Sequence, residues 1–140
     1  MNILEIPFHK FLNFKQYSGD EFIFIAEEKP EYLNHLNNIH ACVQLSLAEA
    51  SSGEFLLNQF FELRNELIPV IRKTEARYHK PANGSLYSKA SFDSVSKESV
   101  LNDLIQKNRV IVKVKTEIFD GQSNKSLTAT FEWFIIKKTL

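Results

Sequence analysis

Glu49 stands inside a run of small and apolar residues, positions 40–53, that carries no lysine or arginine. Its helical neighbours three and four positions away are Leu45, Ser46, Ser52 and Gly53, so nothing on the same helix can neutralise it. A carboxylate held among such neighbours costs on the order of several kcal/mol unless water or a partner reaches it. A low-dielectric setting also raises a carboxylate's pKa toward neutrality, which suits a general base that activates water. The competing reading rolls the helix so that Gln44, Glu49 and Glu54 touch solvent, but a spacing of five does not make a tight stripe.

Other reactive side chains cluster just before it. Asn34 and His35 lie in an Asn-rich stretch, and His40, Ala41 and Cys42 open the helix. Cys42 near His35 and His40 is a formal candidate for a thiol nucleophile, although buried cysteines are usually inert packing. His35, His40 and Glu49 do not form a metal set, because no close two-histidine spacing on one helix supports it. No metal and no cofactor is therefore expected. Arg72, Lys73, Arg77, Lys80 and the Lys137–Lys138 pair are cations at strand ends, free to meet phosphates or only water.

The elements that must position these groups follow from periodicity and punctuation. Residues 7–13 read as a short helix with Phe8, Phe11 and Leu12 on one side, and 21–27 as a strand with Phe22, Phe24 and Ala26 facing one way. Pro30 opens a loop that runs to Ile39. Asn37 or Asn38 is expected to cap a long helix from about 40 to 63, too oily for a surface helix and small enough at mid-length to lie close to a sheet. Strands follow at 70–79 and 86–95, then a polar helix at 97–106. Val110, Val112, Val114, Thr116 and Ile118 alternate with charged residues, the clearest half-buried strand in the chain. Asp120 and Gly121 start a hairpin connection, and Leu127, Ala129, Phe131, Trp133 and Ile135 line the inner face of the last strand. One sheet wrapped around one helix is the economical packing of that order, an α+β fold.

The bulk numbers agree with one domain over 1–140. Length suits a single core, and 17 basic residues against 17 acidic ones argue against nucleic acid as a partner. One cysteine excludes an internal disulfide and fits a reducing compartment. Glu5, Pro7, His9 and Lys10 break any secretory apolar run, and no segment is long enough to span a bilayer, so a cytoplasmic protein without membrane contact is expected.

That order of elements, with Asn34, then His40, then Glu49 nine positions on, resembles the hotdog-fold superfamily. Within it the chain is most similar to the phenylacetyl-CoA-type acyl-CoA thioesterases, in a branch grouped with thioesterases by likeness alone. The family pattern is an Asn, a His-Gly-Gly helix start, and an acidic residue at that same offset on the central helix. Residues 77–84, Arg-Tyr-His-Lys-Pro-Ala-Asn-Gly, and the terminal run 128–134 also look like family segments. Ala41 and Cys42 stand where the family has Gly-Gly, which narrows the approach to the backbone and leaves the amide donors in place.

The resemblance implies hydrolysis of a CoA or carrier-protein thioester. Glu49 would be the general base, the Ala41 N–H at the helix start the oxyanion donor, and Asn34 the group holding water or the thioester carbonyl. His40 would position the helix start. Arg77, Lys80, His35 and Cys42 would border the substrate. Nine residues of helix is roughly 13 Å, too far for both ends to meet one reacting atom, so the resemblance implies composite sites in a homodimer or tetramer. Two rivals stand beside it. One is a hotdog dehydratase or hydratase using His35, fourteen residues before Glu49; the other is a silent acyl-thioester-binding hotdog protein.

Overall fold

The computed structural model describes residues 1–138; positions 139 and 140 of the expected 1–140 domain lie outside the described residues. Its centre is the hairpin of β5 (Arg109–Phe119) and β6 (Lys125–Lys137). Both strands alternate as expected: Val110, Val112, Val114, Thr116 and Ile118 are buried, as are Leu127, Ala129, Phe131, Trp133 and Ile135. β3 (Leu67–Tyr78) lies against the free side of β6, and β4 (Leu86–Phe92) against β5. β2 (Phe24–Ala26) and β1 (Lys15–Gln16) complete an antiparallel six-stranded sheet in the order β1-β2-β4-β5-β6-β3.

The buried face of this sheet holds α2 (Ala41–Gln59), with Val43, Gln44, Leu47, Ala48, Ser51, Leu56 and Leu57 turned inward. The mid-helix small residues do permit a close approach. Gly53 lies under the Trp133 ring, and the Trp133 indole N–H donates to Ser52 Oγ at 3.0 Å. Ser51 Oγ lies 2.6 Å from Ser88 Oγ, which also accepts the Phe24 N–H. The hydroxyls under the helix are thereby largely satisfied, as burial requires. α3 (Lys97–Lys107), capped by Ser96 Oγ, connects β4 to β5 and buries only Val100 and Leu104. The expected α+β architecture stands.

Several boundaries differ from the sequence reading. α1 (Pro7–Phe11) is shorter than 7–13 and turns His9 inward, leaving Phe8 and Phe11 exposed; His9 Nδ1 lies 2.8 Å from the Ile3 carbonyl oxygen. Phe22 leaves the strand face that holds Phe24 and Ala26 and joins a ring cluster with Tyr17, Tyr87 and Phe119 on the outer face. α2 ends at Gln59, not at 63, because the chain tightens into a 3-10 segment, Phe61–Glu66. Arg64 of that segment anchors the turn by a two-pronged pair with Glu54 at 3.0 Å and by a bond to Asn58. β3 begins at Leu67 and includes Pro69, which an edge strand tolerates on its unpaired side.

Candidate functional site

The start of α2 is built by cross-bracing rather than by an Asn cap. Asn37 has a left-handed φ of 59° and belongs to the preceding turn, and Asn38 donates its side-chain amide to Asn83 Oδ1 at 2.7 Å. The cap is His40: the Cys42 N–H donates to His40 Nδ1 at 3.0 Å. A neutral His40 therefore carries its proton on Nε2. The Ile39 N–H donates to the Ala82 carbonyl and the His40 N–H to the Tyr32 carbonyl, locking the helix start to two loops. Asp120 extends the brace. Its carboxylate accepts the backbone N–H of Asn83, Gln122 and Asn124, each at 3.0 Å, tying the β5–β6 turn to the loop that holds Asn38.

These braces leave particular donors free. The Asn34 Oδ1 accepts the Leu36 and Asn38 N–H groups at 2.8 and 3.1 Å, so its carbonyl is committed to the loop and its NH2 is not. The Ala41 N–H, first in the helix, donates to no group among the described residues. Asn34, Ala41 and Lys80 all line a cavity of about 330 Å³. Tyr78, Gln44 and His79 line it as well, three residues that the sequence reading did not name as site residues. Tyr78 donates its hydroxyl to the Ala41 carbonyl at 3.0 Å, and burial, with the neighbouring Cys42, pushes its phenol above the ordinary range. A strand-end tyrosine facing the first helical turn is a signal legible only once β3 is placed beside α2.

The other expected site residues lie outside this cavity. Glu49 is exposed, which corrects the expectation that it sits sunk among apolar neighbours. The helix is rolled so that Val43, Gln44, Leu47 and Ala48 meet the sheet, while Ala41, Cys42 and Glu49 face away. The rolled-helix alternative is right about Glu49 and wrong about Gln44, which is buried, while Glu54 is only partly exposed and is paired with Arg64. The Glu49 carboxylate has no cation or hydrogen-bond donor among the described residues. His35 is exposed at the loop tip, and Cys42 is exposed, not buried packing. Arg77 lines a separate depression on β3 with His79 and Thr128, where His79 Nε2 and Thr128 Oγ1 are 2.8 Å apart.

A larger cavity, about 670 Å³, lies on the outer face among Tyr17, Phe22, Tyr87 and Phe119. The ammonium of Lys89 already occupies its cation–π position, 5.1 Å from Phe22 and 5.4 Å from Phe119. No cluster of three or more potential metal ligands occurs among the described residues, and no described helix is long and apolar enough to cross a membrane.

Comparison with known proteins gives this geometry a context. The family model described as "Putative thioesterase (yiiD_Cterm)" matches residues 3–136. No curated protein matches the sequence. Among solved structures, a protein of unknown function from Chlorobaculum tepidum superposes with a TM-score of 0.82 at 13% identity, covering 96% of this chain and 88% of that one. A thioesterase from Haemophilus influenzae gives 0.72 at 14% identity, covering 96% and 86%. A hypothetical thioesterase from Streptococcus pneumoniae, solved with coenzyme A, gives 0.64 at 14% identity, covering 91% and 89%. At such identities the likeness speaks for the fold, and that fold is the hotdog.

Proposed function

We propose, from the plain fact that the chain belongs to this thioesterase family, that it hydrolyses an acyl-CoA or acyl-carrier thioester at a site shared by two copies of itself. The observation that carries the reading is the unused Ala41 N–H, opening into a cavity beside the free amide of Asn34. An unpaired N–H at a helix start, with the macrodipole behind it, is suited to the negative charge that develops on a thioester oxygen.

In this reading, water adds to the thioester carbon and Glu49 of the other copy takes one of its protons. The Ala41 N–H bears the oxyanion. Collapse of the tetrahedral intermediate breaks the carbon–sulfur bond, and the proton held by Glu49 passes to the departing thiolate. His40 serves by capping, keeping the Cys42 N–H committed and the Ala41 N–H free. Lys80, which also lines the cavity, would meet a CoA phosphate; Arg77, His35 and Cys42 do not line it.

A second copy answers both the distance and the exposure. β3 is an edge strand of twelve residues bonded only to β6, exposed from Arg72 to Tyr78, and bare edges of that length are normally covered. Beside it runs the helix face of Ala41, Cys42, Leu45, Ser46 and Glu49, which carries no cation. Pairing β3 with its copy about a two-fold axis joins the sheets and brings the helix faces together. Position 45 is midway between 41 and 49. Antiparallel helices crossing at Leu45 therefore set Glu49 of one copy opposite Ala41 of the other. The similar structure from Streptococcus pneumoniae, solved with coenzyme A, supports CoA over other thiol carriers as the first substrate to try.

The direct test is release of CoA thiol from a panel of acyl-CoAs by wild type and by Glu49→Gln. Removing a general base of this kind lowers kcat by about 10²–10⁴-fold. Equal turnover by the two proteins sinks the mechanism, and binding without turnover by wild type leaves the silent acyl-binding reading in its place.

A further inference from the structure

The lysines and arginines of this chain are unevenly held. Most pair with a carboxylate, as Lys73 does with Glu75 at 2.9 Å and Lys125 with Glu117 at 3.0 Å. Arg77, Lys80, Lys97, Arg109, Lys113 and Lys115 have neither an ion pair nor a side-chain hydrogen bond among the described residues. Strand register places four of these on one surface: Arg77 beside Thr128, Lys115 beside Thr130, Lys113 beside Glu132 and Arg109 beside Ile136. Those β6 residues alternate with the buried Ala129, Phe131, Trp133 and Ile135, so the surface is the outer face of the sheet. Its carboxylates are already taken, Glu132 by Arg72 at 3.1 Å, Glu75 by Lys73 and Glu117 by Lys125. The formal net charge of the chain is zero, so this cation excess is local and has to be explained locally.

A depression of about 400 Å³ opens on this face, lined by Glu75, Ala76, Arg77, His79, Thr128 and Thr130. Lys115 flanks Thr130 on the β5 side, diagonally across β6 from Arg77. Their backbones are roughly 12 Å apart, a gap that two long side chains close above the threonine hydroxyls. A guanidinium fork, an ammonium and hydroxyl donors together suit a phosphate group. His79, 2.8 Å from the Thr128 hydroxyl, lines both this depression and the cavity that holds Asn34 and Ala41. The two hollows therefore adjoin around the end of β3. Pairing of β3 with its copy uses the edge of the strand and leaves this face open. We infer that the depression is a phosphate subsite for CoA. With the thioester at Ala41, the phosphate-bearing end of the molecule passes over His79 and lies against Arg77 and Lys115. The inference rests on the thioesterase reading of the adjoining cavity and adds what grips the far end of the substrate. Neither cation is near the reacting atoms, so the contact holds ground state and transition state alike and its loss falls on KM, not kcat.

The test is the double variant Arg77→Gln, Lys115→Gln, with Lys97→Gln on α3 as a control; all three side chains are exposed, so the fold should be kept. With acyl-CoA, the double variant is expected to raise KM by about tenfold or more with kcat within twofold of wild type, and Lys97→Gln to change neither. The acyl-pantetheine thioester of the same acyl group carries no phosphate, and its KM should be equal in wild type and double variant. A KM for acyl-CoA that the double variant leaves unchanged, or one that rises equally for acyl-pantetheine, overturns the inference. Calorimetry with CoA alone reads the subsite without turnover. Kd should rise by about tenfold or more in the double variant; equal affinities, or no binding to wild type, overturn the inference. Inorganic phosphate that binds wild type as tightly as CoA does would mean a site for the free ion and overturns it too. A wild type that turns over neither thioester refutes the hydrolase reading instead, and the comparison of CoA affinities then still decides the subsite.

Discussion

Ala41→Pro separates the helix-start amide from everything else that position does. Proline at the first helical residue is tolerated because the N–H it lacks has no intrahelical partner, and in this chain the Ala41 N–H is unused. The residue before a proline must be extended, and His40 already is, at φ −59° and ψ 138°. The Ala41 carbonyl stays in place to accept the Tyr78 hydroxyl. Folding stability should therefore move by no more than about 1 kcal/mol, a few degrees in Tm. Catalysis should not be spared. Loss of one oxyanion donor raises a barrier by about 3–4 kcal/mol, and each 1.36 kcal/mol is tenfold, so kcat should fall roughly 10²–10³-fold. Ala41→Gly, which keeps the N–H, should retain turnover. Thiol release from saturating acyl-CoA measures kcat, and circular dichroism with a thermal melt reports the fold. A well-folded Ala41→Pro protein that turns over within threefold of wild type would show that this amide does not bear the oxyanion.

Other variants probe the scaffold and the assembly. Gly53→Ala should stabilise the protein by about 0.5–1 kcal/mol in chemical denaturation, because the added Cβ meets Ile3 and Trp133 at 3.5 Å, ordinary contact, while a helix-interior glycine is entropically costly. Leu45→Lys should leave the monomer folded but shift sedimentation from dimer to monomer and abolish turnover, since it sets two like charges at the proposed axis. Tyr32 is buried and donates its hydroxyl to the Leu12 carbonyl; burial, reinforced by Glu27 and Glu31, pushes its phenol from 10.0 up to about 12. The folded state holds that proton more tightly, so its stabilising effect is complete below pH about 10 and is lost as pH rises toward 12. Tyr32→Phe should lose that alkaline slope in denaturation curves measured across this window.

The strands were legible because a period of two survives any packing detail, and Val110 to Ile118 and Leu127 to Ile135 are buried at alternate positions. Helix ends were not, because their signals are local and have competitors. Asn37 is a good capping residue by type, yet its left-handed backbone serves the turn, and a histidine takes the cap. Phe60, Phe61 and Leu63 continue an apolar pattern past Gln59, but the chain turns there because Arg64 is drawn back to Glu54 and Asn58. The site was legible in part. Asn34 and Ala41, singled out through the family resemblance, line one cavity, whereas the place of Gln44 and Tyr78 beside them is visible only when β3 and α2 are side by side. Glu49 was misjudged because residue types along a helix tell how oily its surroundings are in sequence, not which way the helix is rolled.

That roll is also what links exposure to function. Burying Val43, Leu47 and Ala48 against the sheet requires positions 41, 42 and 49 to face outward, so one rotation sets both the core and the open face. A solvent-facing stripe of a lone helix would ordinarily carry paired charges, and this one carries alanine, cysteine, leucine, serine and a single carboxylate. In one copy alone, water solvates Glu49, which lies far from the helix start. In the dimer proposed above, a second copy docked on the same face would withdraw that water and bring its Ala41 amide opposite Glu49. The cost of desolvating the carboxylate is then met by the apolar contacts around Leu45 and by strand pairing along β3, neither of which requires a cation near the base. Under the proposed mechanism, a lysine or arginine on this stripe would pair with the carboxylate that has to take the proton from water, so the mechanism predicts that Leu45→Arg lowers turnover even where the fold is kept.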